Sequence, residues 1–322
     1  MPTRVSVAAA ARLHLGFLDM NGGLGRRFGG LGLSIDSPVT RLTLERAETS
    51  SVAGAEAERA GALLARAVAA LAPGQSYRLT VEAAIPSHSG LGSGTQLALA
   101  IAAALRRLED LPADIDADAA LLQRGARSGL GAGLFTRGGL IVDGGRGPGT
   151  TTPPVIARLP FPQDWRILLV SDPGAVGLHG AEERQAFADL PPLSEADAGR
   201  LCRLVLMQAL PAAAEGDFPG FGAAITQIQA IVGDYFAPAQ GGRRFTSAAV
   251  ERLLAGLADA GATGIGQTSW GPTGFAFAPN EAEAKRLAAL MRREAAASGL
   301  DLSIVAGLDR GAQIDAVYAR IA

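Results

Sequence analysis

Apolar residues recur at helical spacing in several long stretches of this chain. The clearest are the alanine-rich run Ala55–Leu71, which ends at Pro73-Gly74, and the stretch LALAIAAAL that begins at Leu97 without glycine or proline. Such spacing predicts amphipathic helices. The same pattern predicts further helices at Asp116–Arg124, Ser247–Ala260 and Glu281–Ser298, and a run of helices from Glu182 to Ile231.

Shorter runs with alternating or continuous apolar residues predict strands between these helices. They are Arg4–Ala9, Leu33–Arg46, Tyr77–Ala84, Trp165–Ser171, two segments around Gly264–Ala278, and Leu302–Ala306. Because strands and helices are mixed without a regular βαβ repeat, the order favours an α+β fold in two layers. The segment GPGTTTPP is the best linker candidate and divides the chain into predicted domains at residues 1–152 and 153–322.

Composition narrows the class of protein. The 322 residues suffice for two domains, and a net charge of −2 with mixed signs argues against nucleic-acid binding. The single cysteine, Cys202, excludes an internal disulfide and any multi-thiolate metal site. No apolar run reaches the roughly 20 residues that a membrane span needs. We therefore expect a cytoplasmic protein, a homodimer, that binds small molecules and neither membrane nor nucleic acid.

A glycine-rich loop, IPSHSGLGSGTQ, stands directly before the helix that begins near Leu97. Its glycines let backbone N–H groups turn toward one point, and the helix adds its unpaired first-turn donors and the positive end of its dipole. This arrangement predicts a phosphate cradle, with a plain tight turn as the alternative. It is not a P-loop, because the Gly-Lys-Ser/Thr ending is missing. The candidate binding residues are Ser87, Gly90, Gly92, Ser93, Gly94, Thr95 and Gln96.

The loop resembles the second motif of the GHMP superfamily, which includes galactokinase and the homoserine and mevalonate kinases. Within it, the chain is similar to the family of beta-ribofuranosylaminobenzene 5'-phosphate synthases. The other resembling stretches are Ala11–Asp36, RSGLGAGLFTRGGLIVDGG (Arg127–Gly145), GLHGAEE (Gly177–Glu183) and GIGQTSWGPTGFAF (Gly264–Phe277). The resemblance implies a two-domain architecture, with an N-terminal phosphate-loop domain and a C-terminal α/β-sandwich domain.

One position departs from the kinases of that superfamily. They commonly carry Ser-Gly-x-Asp, in which the aspartate accepts the proton of the substrate hydroxyl. Here Ser128-Gly129-Leu130-Gly131 has glycine at that place. A glycine cannot move a proton, and general-base catalysis typically contributes about 10²–10⁴-fold. The departure favours a synthase; an ATP-dependent small-molecule kinase and a non-catalytic nucleotide-binding module remain the alternatives.

The synthases that the chain resembles join phosphoribosyl pyrophosphate to 4-aminobenzoate or 4-hydroxybenzoate and release carbon dioxide and pyrophosphate. They act in tetrahydromethanopterin biosynthesis, and so in one-carbon metabolism. The resemblance implies Mg²⁺ to bridge pyrophosphate oxygens and no organic cofactor.

Candidate catalytic residues come from the resembling motifs: Arg12, His14, Asp19, His88, His179 and Glu183. Arg12 and His14 point to one face of a strand by its two-residue period. Asp19 and Glu182 are the candidate metal ligands, although Asp19 also suits an Asx turn and the glutamates also suit a helix first turn. Trp270 is a candidate to stack on an aromatic acid, or else a core residue. The remaining candidate contacts are Arg26, Gln267 and Ser269.

Overall fold

The structure, a computed structural model, describes residues 1–318. Its strands are β1 (Pro2–Asp19), β2 (Phe28–Arg46), β3 (Ser51–Gly54), β4 (Tyr77–Ala83), β5 (Leu140–Asp143), β6 (Val155–Leu159), β7 (Arg166–Ser171), β8 (Thr263–Gln267), β9 (Gly274–Ala278), β10 (Asp301–Ala306) and β11 (Gln313–Tyr318). Its α-helices are α1 (Ala57–Leu71), α2 (Ser93–Leu108), α3 (Ile115–Leu121), α4 (Leu130–Arg137), α5 (Gly180–Asp189), α6 (Glu195–Leu204), α7 (Leu210–Glu215), α8 (Phe218–Phe236), α9 (Ala248–Asp259) and α10 (Glu281–Ala297). A π-helical turn joins α6 to α7, and a 3₁₀ turn follows α8.

The first sheet is built on two long strands. Its order is β11-β1-β2-β4-β3. β4 pairs with the second half of β2, and β5, which also pairs with β6, pairs with the first half of β2 at residues 30–33. Strands β1 and β2 pair antiparallel along almost their whole length, with register shifts between Ala10 and Arg12 and between His14 and Gly16. Such irregularities bend a strand and re-aim its side chains, and they are frequent beside functional sites.

The second sheet has the order β10-β7-β9-β8 and is antiparallel. Helices α9 and α10 cover one of its faces, where Leu168, Leu253 and Leu287 are buried. Its other face belongs to a core that also takes in Leu13 and Leu15 of β1. The two sheets therefore share one continuous apolar core.

Helix α2 lies in a separate core between the first sheet and α1. Nearly every residue from Gln96 to Leu105 is buried, including Leu99 and Ile101. A helix that is apolar on all sides is expected to be enclosed rather than to lie on the surface. The burial of α2 fixes the direction of its first turn, and with it the direction of the glycine-rich loop.

The α+β fold class and most predicted elements are confirmed, but the strands at the start of the chain are longer than predicted. The sequence indicates only Arg4–Ala9 and Leu33–Arg46, because glycines interrupt the pattern between them. The structure continues β1 to Asp19 and starts β2 at Phe28. Between Leu13 and Phe17 every residue of β1 is buried, so the alternation that marks a half-exposed strand is lost there.

Two strands beyond the predicted linker join the first sheet. β6 pairs with β5, and β11 pairs with β1. The domain boundary at residue 152 stays a prediction, and the strand pairing adds that the first sheet draws on both sides of it. Within residues 1–318, no helix combines the length and the apolar character that a bilayer span requires.

Candidate active site

The glycine-rich loop turns sharply into α2. Gly90 and Gly92 both adopt positive φ angles, +80° and +83°, and among the described residues no side chain caps the first turn of α2. A Cβ atom at Gly90 would overlap the carbonyl oxygen of Thr268. Glycine at this position therefore allows the loop to lie directly against the turn that follows β8.

Arg12 on β1 holds the glycine-rich loop in place by hydrogen bonds. Its Nη1 donates a 2.6 Å hydrogen bond to the carbonyl of Gly90, and its backbone N–H donates to Leu91. Thr268 links the same parts, since its hydroxyl donates to the Gly90 carbonyl and accepts from the His14 backbone N–H. Burial lowers the pKa of Arg12 to about 10, with the charge of Glu183 acting in the opposite direction. Arg12 is therefore still a cation at neutral pH.

His14 lies beside Arg12 and is only 5% exposed. Burial, and then the positive charge of Arg12, lower its pKa to about 3. Its Nε2 atom is buried and has no hydrogen-bond partner within the described part of the chain. The site thus offers a neutral imidazole with one ring nitrogen free to bond a ligand.

A cavity of about 580 Å³ opens beside these two residues. Thr95, Gly131 and Ser269 line it, so the first turn of α2, the start of α4 and the turn after β8 meet there. Five arginines face it and one carboxylate, that of Glu183; the arginines are Arg12, Arg124, Arg127, Arg146 and Arg184. This excess of positive charge in a partly closed space favours an anionic ligand.

Two of these arginines have donors that the fold leaves unsatisfied. Arg124 Nε and Arg127 Nη1 are buried and, among residues 1–318, without a partner. Burial and the neighbouring cation Arg59 lower the pKa of Arg124. The guanidinium of Arg59 reaches so close to Gly94 that a Cβ atom there would overlap it. Two like charges therefore converge at the start of α2, an arrangement that a bound anion would stabilise.

Arg127 is held from two sides. Its Nη2 lies 2.6 Å from Glu183 Oε2, and its guanidinium carbon lies 5.0 Å from the centre of the Phe187 ring. Phe17 and Phe28 complete the aromatic wall, each meeting Phe187 edge to face. The cavity thus combines a cationic part with an aromatic part.

The two loop histidines contact each other rather than the cavity. The rings of His88 and His179 lie 3.8 Å apart at their centres, and Gly177 N–H donates to the His88 carbonyl. Burial, followed by the charges of His179 and Arg59, lowers the pKa of His88. This pair joins the glycine-rich loop to the start of α5, the helix that carries Glu183.

The predicted metal ligands do not form a metal site. Asp19 Oδ1 accepts the backbone N–H groups of Asn21 and Gly22, which is the Asx turn weighed above, and Glu182 is exposed. Among the described residues, no three His, Cys, Asp or Glu side chains are grouped to hold an ion. The residues present do not fit a protein-built Mg²⁺ site.

Several other predicted contacts serve the protein itself. Arg26 donates to the carbonyls of Gly144 and Gly145, and Ser87 bonds Glu56 and Arg59. Gln96 donates to the Gly131 carbonyl. Gln96 therefore supports Gly131 in the cavity wall, whereas the bonds of Arg26 and Ser87 lie outside the lining. Ser93 and Gly94 lie half-buried at the first turn of α2.

The C-terminal motif contributes one residue to the cavity lining, Ser269. The amide of Gln267 bonds Thr246 and Gln240. Trp270 is 3% exposed and packs edge to face behind Phe187, 5.2 Å between ring centres. The aromatic rings that line the cavity are therefore those of Phe17, Phe28 and Phe187, and Trp270 is not among them.

Sequence reasoning missed Arg59, Arg124, Arg127, Arg146 and Arg184 as candidates. They come from α1, from the segment before α4, from the end of the β5 region and from α5. The one local signal was the pair of arginines in QRGARSG, immediately before the glycine-dense motif.

The chain is similar to known proteins in sequence and in fold. The family models for the GHMP kinases N-terminal domain and the GHMP kinases C-terminal region match residues 58–139 and 209–297. The chain is 32% identical to the beta-ribofuranosylphenol 5'-phosphate synthase of Methanothermobacter thermautotrophicus, over 84% of this chain and 88% of that protein. It is 33% identical to the protein of the same name from Archaeoglobus fulgidus, over 84% and 87%.

Solved structures agree in fold. Galactokinase of Lactococcus lactis, complexed with galactose, superposes with a TM-score of 0.69 at 16% identity, over 96% of this chain and 95% of that chain. Phosphomevalonate kinase of Streptococcus pneumoniae superposes with a TM-score of 0.66 at 13% identity, over 95% of this chain and 100% of that chain. At these identities the likeness concerns the fold alone.

Proposed function

The chain belongs to the beta-ribofuranosylphenol 5'-phosphate synthase family, glycosyl-transferring enzymes with the GHMP kinase fold, and on that premise we propose that it transfers ribose 5-phosphate to an aromatic acid. The donor is phosphoribosyl pyrophosphate and the acceptor 4-hydroxybenzoate or 4-aminobenzoate. Carbon dioxide and pyrophosphate leave, in a step of tetrahydromethanopterin biosynthesis. The observation that carries the proposal is the arginine-lined cavity at the start of α2.

The cationic part of the cavity suits the leaving pyrophosphate. Arg124, the neighbouring Arg59 and the positive end of α2 face one region, and Arg12 lies beside it. Charge that develops on pyrophosphate as the bond to the anomeric carbon breaks is stabilised there without rearrangement of the protein. The cavity is partly enclosed, and its walls of low dielectric constant make the attraction between these charges stronger than in bulk water.

The aromatic carbon that bears the carboxylate then attacks the anomeric carbon. The new carbon–carbon bond forms as the bond to pyrophosphate oxygen breaks, and the pair of electrons between ring and carboxylate returns to the ring as carbon dioxide leaves. Neutral His14 is available to bond a substrate hydroxyl through Nε2. With a pKa of about 3 it stays uncharged at neutral pH and adds no further positive charge next to Arg12.

Kinase chemistry is disfavoured by the same lining. Gly131 stands in the cavity wall where the superfamily's kinases place their base, and Glu183, the single carboxylate in the lining, is paired with Arg127. Mg²⁺ stays a proposal: because the described side chains form no group that would hold it, it would have to come with the diphosphate substrate, whose charge it would help to neutralise. Cytoplasmic localisation and a homodimeric state stay predictions. Light scattering of the purified protein tests the homodimeric state.

The test is incubation with phosphoribosyl pyrophosphate, Mg²⁺ and carboxyl-labelled acceptor. We expect labelled carbon dioxide and pyrophosphate in equal amounts, and comparison of the two acceptors identifies the preferred one. ADP formed from ATP with an alcohol acceptor, without labelled gas, would instead establish a kinase.

A charge variant tests the location. Ser93→Asp puts an anion at the first turn of α2 and should abolish binding of phosphoribosyl pyrophosphate while the protein stays folded. Ser51→Asp, on the exposed strand β3, is the matched control and should bind as the wild type does. Equal affinity in both variants would contradict a phosphate site at α2.

A further inference from the structure

The aromatic part of the cavity has a feature that packing alone does not require. Phe28 adopts a φ of +75° although it carries a bulky side chain; the next residue, Gly29, is also at positive φ, +70°. Bulky residues at positive φ are uncommon and are found at sites that hold a strained geometry for function. In this conformation the half-buried Phe28 ring lines the cavity and meets Phe187 edge to face, 5.7 Å between centres.

Arg127 lines the same part of the cavity and has one N–H donor without a partner among the described residues. Its Nη2 is paired with Glu183 and its plane covers Phe187, while Nη1 is buried and unpartnered within the described residues. A buried guanidinium donor without a partner costs free energy unless a ligand satisfies it. A carboxylate suits this donor, because an ionised acceptor forms a shorter and stronger hydrogen bond with a guanidinium N–H group than a neutral one does.

We propose that Phe28, Phe187 and Arg127 form the subsite for the aromatic acceptor. The proposal rests on the function proposed above and adds the place where the acid binds. The ring of the acid lies against Phe28 and Phe187, and its carboxylate accepts from Arg127 Nη1. The cationic region at α2 is left to the sugar diphosphate.

Glu183 gives this subsite a second property. Two carboxylates, that of Glu183 and that of the acid, share one guanidinium, so the acid is bound less tightly than by a free arginine. This matters because the acid's carboxylate loses its charge as it departs as carbon dioxide, and strong pairing in the ground state would oppose that step. Glu183 is thus a positioning residue that holds Arg127 and limits how strongly the acceptor carboxylate is stabilised.

The first experiment measures KM for each substrate separately. Arg127→Gln and Phe187→Leu should raise KM for the aromatic acid, by about 10- to 100-fold for the arginine variant from the loss of a charged hydrogen bond. KM for phosphoribosyl pyrophosphate should stay within about threefold of the wild-type value, a margin near 0.6 kcal/mol. Arg166→Gln and Phe218→Leu, whose side chains do not line the cavity, are the matched controls.

The second experiment does not depend on turnover. Binding of benzoate and of phenol to the enzyme is measured by calorimetry in the wild type and in Arg127→Gln. Benzoate should bind more tightly than phenol in the wild type and no more tightly in the variant. Glu183→Gln should tighten benzoate binding and lower kcat, a split that a merely structural role would not produce.

The outcomes separate the two proposals. A wild-type enzyme that releases carbon dioxide, with an acceptor KM unchanged in Arg127→Gln, would place the acid elsewhere and overturn the subsite while the function stands. A preference for benzoate that persists in Arg127→Gln would also overturn it. No carbon dioxide from the wild type, together with an Arg127-dependent preference for benzoate, would refute the proposed reaction and leave an aromatic-acid site.

Discussion

The buried imidazole of His14 makes a quantitative prediction about stability and pH. In the unfolded chain a histidine takes up its proton near pH 6.5, whereas burial and Arg12 hold the pKa of His14 at about 3 in the fold. Between these values the unfolded state binds more protons, so stability falls as the pH drops below 6.5. The loss approaches about 1.4 kcal/mol per pH unit only below pH 6.5. Between pH 7.5 and pH 5.5 it therefore amounts to roughly 1–2 kcal/mol.

The assay is urea unfolding of the wild type and of His14→Gln at both pH values. Other titrating groups contribute equally to both proteins, so the difference between them isolates His14. The wild type should lose roughly 1–2 kcal/mol more than the variant on acidification. His88→Gln is the comparison variant: the pKa of His88 is also lowered, but its side chain is largely exposed, so its substitution should alter the pH dependence less than that of His14. If the wild type and His14→Gln lost the same free energy of unfolding between pH 7.5 and pH 5.5, the assignment of a neutral, buried imidazole would be refuted.

Three further substitutions test the walls of the cavity. Gly90→Ala should cost at least about 1–2 kcal/mol in urea unfolding, because its φ is positive and its Cβ would overlap the Thr268 carbonyl; an unchanged midpoint would contradict the close approach. Asp143→Asn should cost about 1–3 kcal/mol by the same assay, since the two carboxylate oxygens accept from Ser128 Oγ and from the N–H groups of Gly129 and Gly145, and asparagine keeps only one acceptor oxygen, so at least one N–H group is left facing a donor; full stability would exclude that role. Gly131→Asp should weaken binding of phosphoribosyl pyrophosphate in calorimetry and should not create a kinase, because its Cβ would lie 2.6 Å from Thr95 Cγ2 and its charge would enter the arginine cavity; ADP production from ATP would show the opposite.

The sequence predicts those elements in which buried residues recur at one regular spacing, either that of a helix or that of a strand. α1, α9 and α10 each have one buried stripe, and β4 alternates, so their bounds are found to within a few residues. α4 is missed because Gly131 and Gly133 lie inside it, and glycine costs about 1 kcal/mol relative to alanine in a helix interior. The structure shows the compensation: added Cβ atoms would press against Thr95 and Ile141, so the glycines let α4 pack closely on its neighbours.

The glycine-rich loop could be found in the sequence, because Gly90, Gly92 and the start of α2 are adjacent in the chain. The arginine cavity could not be found in this way. The cavity arginines are far apart in sequence, and each alone looks like a solvated surface cation. The fold brings these arginines to one cavity. The unsatisfied donors of Arg124 and Arg127 indicate that the cavity is suited to a ligand.

The pairing of β1 with β11 has a consequence for how the protein is made. Thr3 and Val317 share a hydrogen bond across 314 positions of the chain, so the outer edge of β1 stays open until nearly all the residues between them have been synthesised. An unpaired strand edge is a template for other chains, and contacts this distant form slowly. We therefore expect that stalled translation or a premature stop before Gln313 yields insoluble protein, and not merely a less stable enzyme.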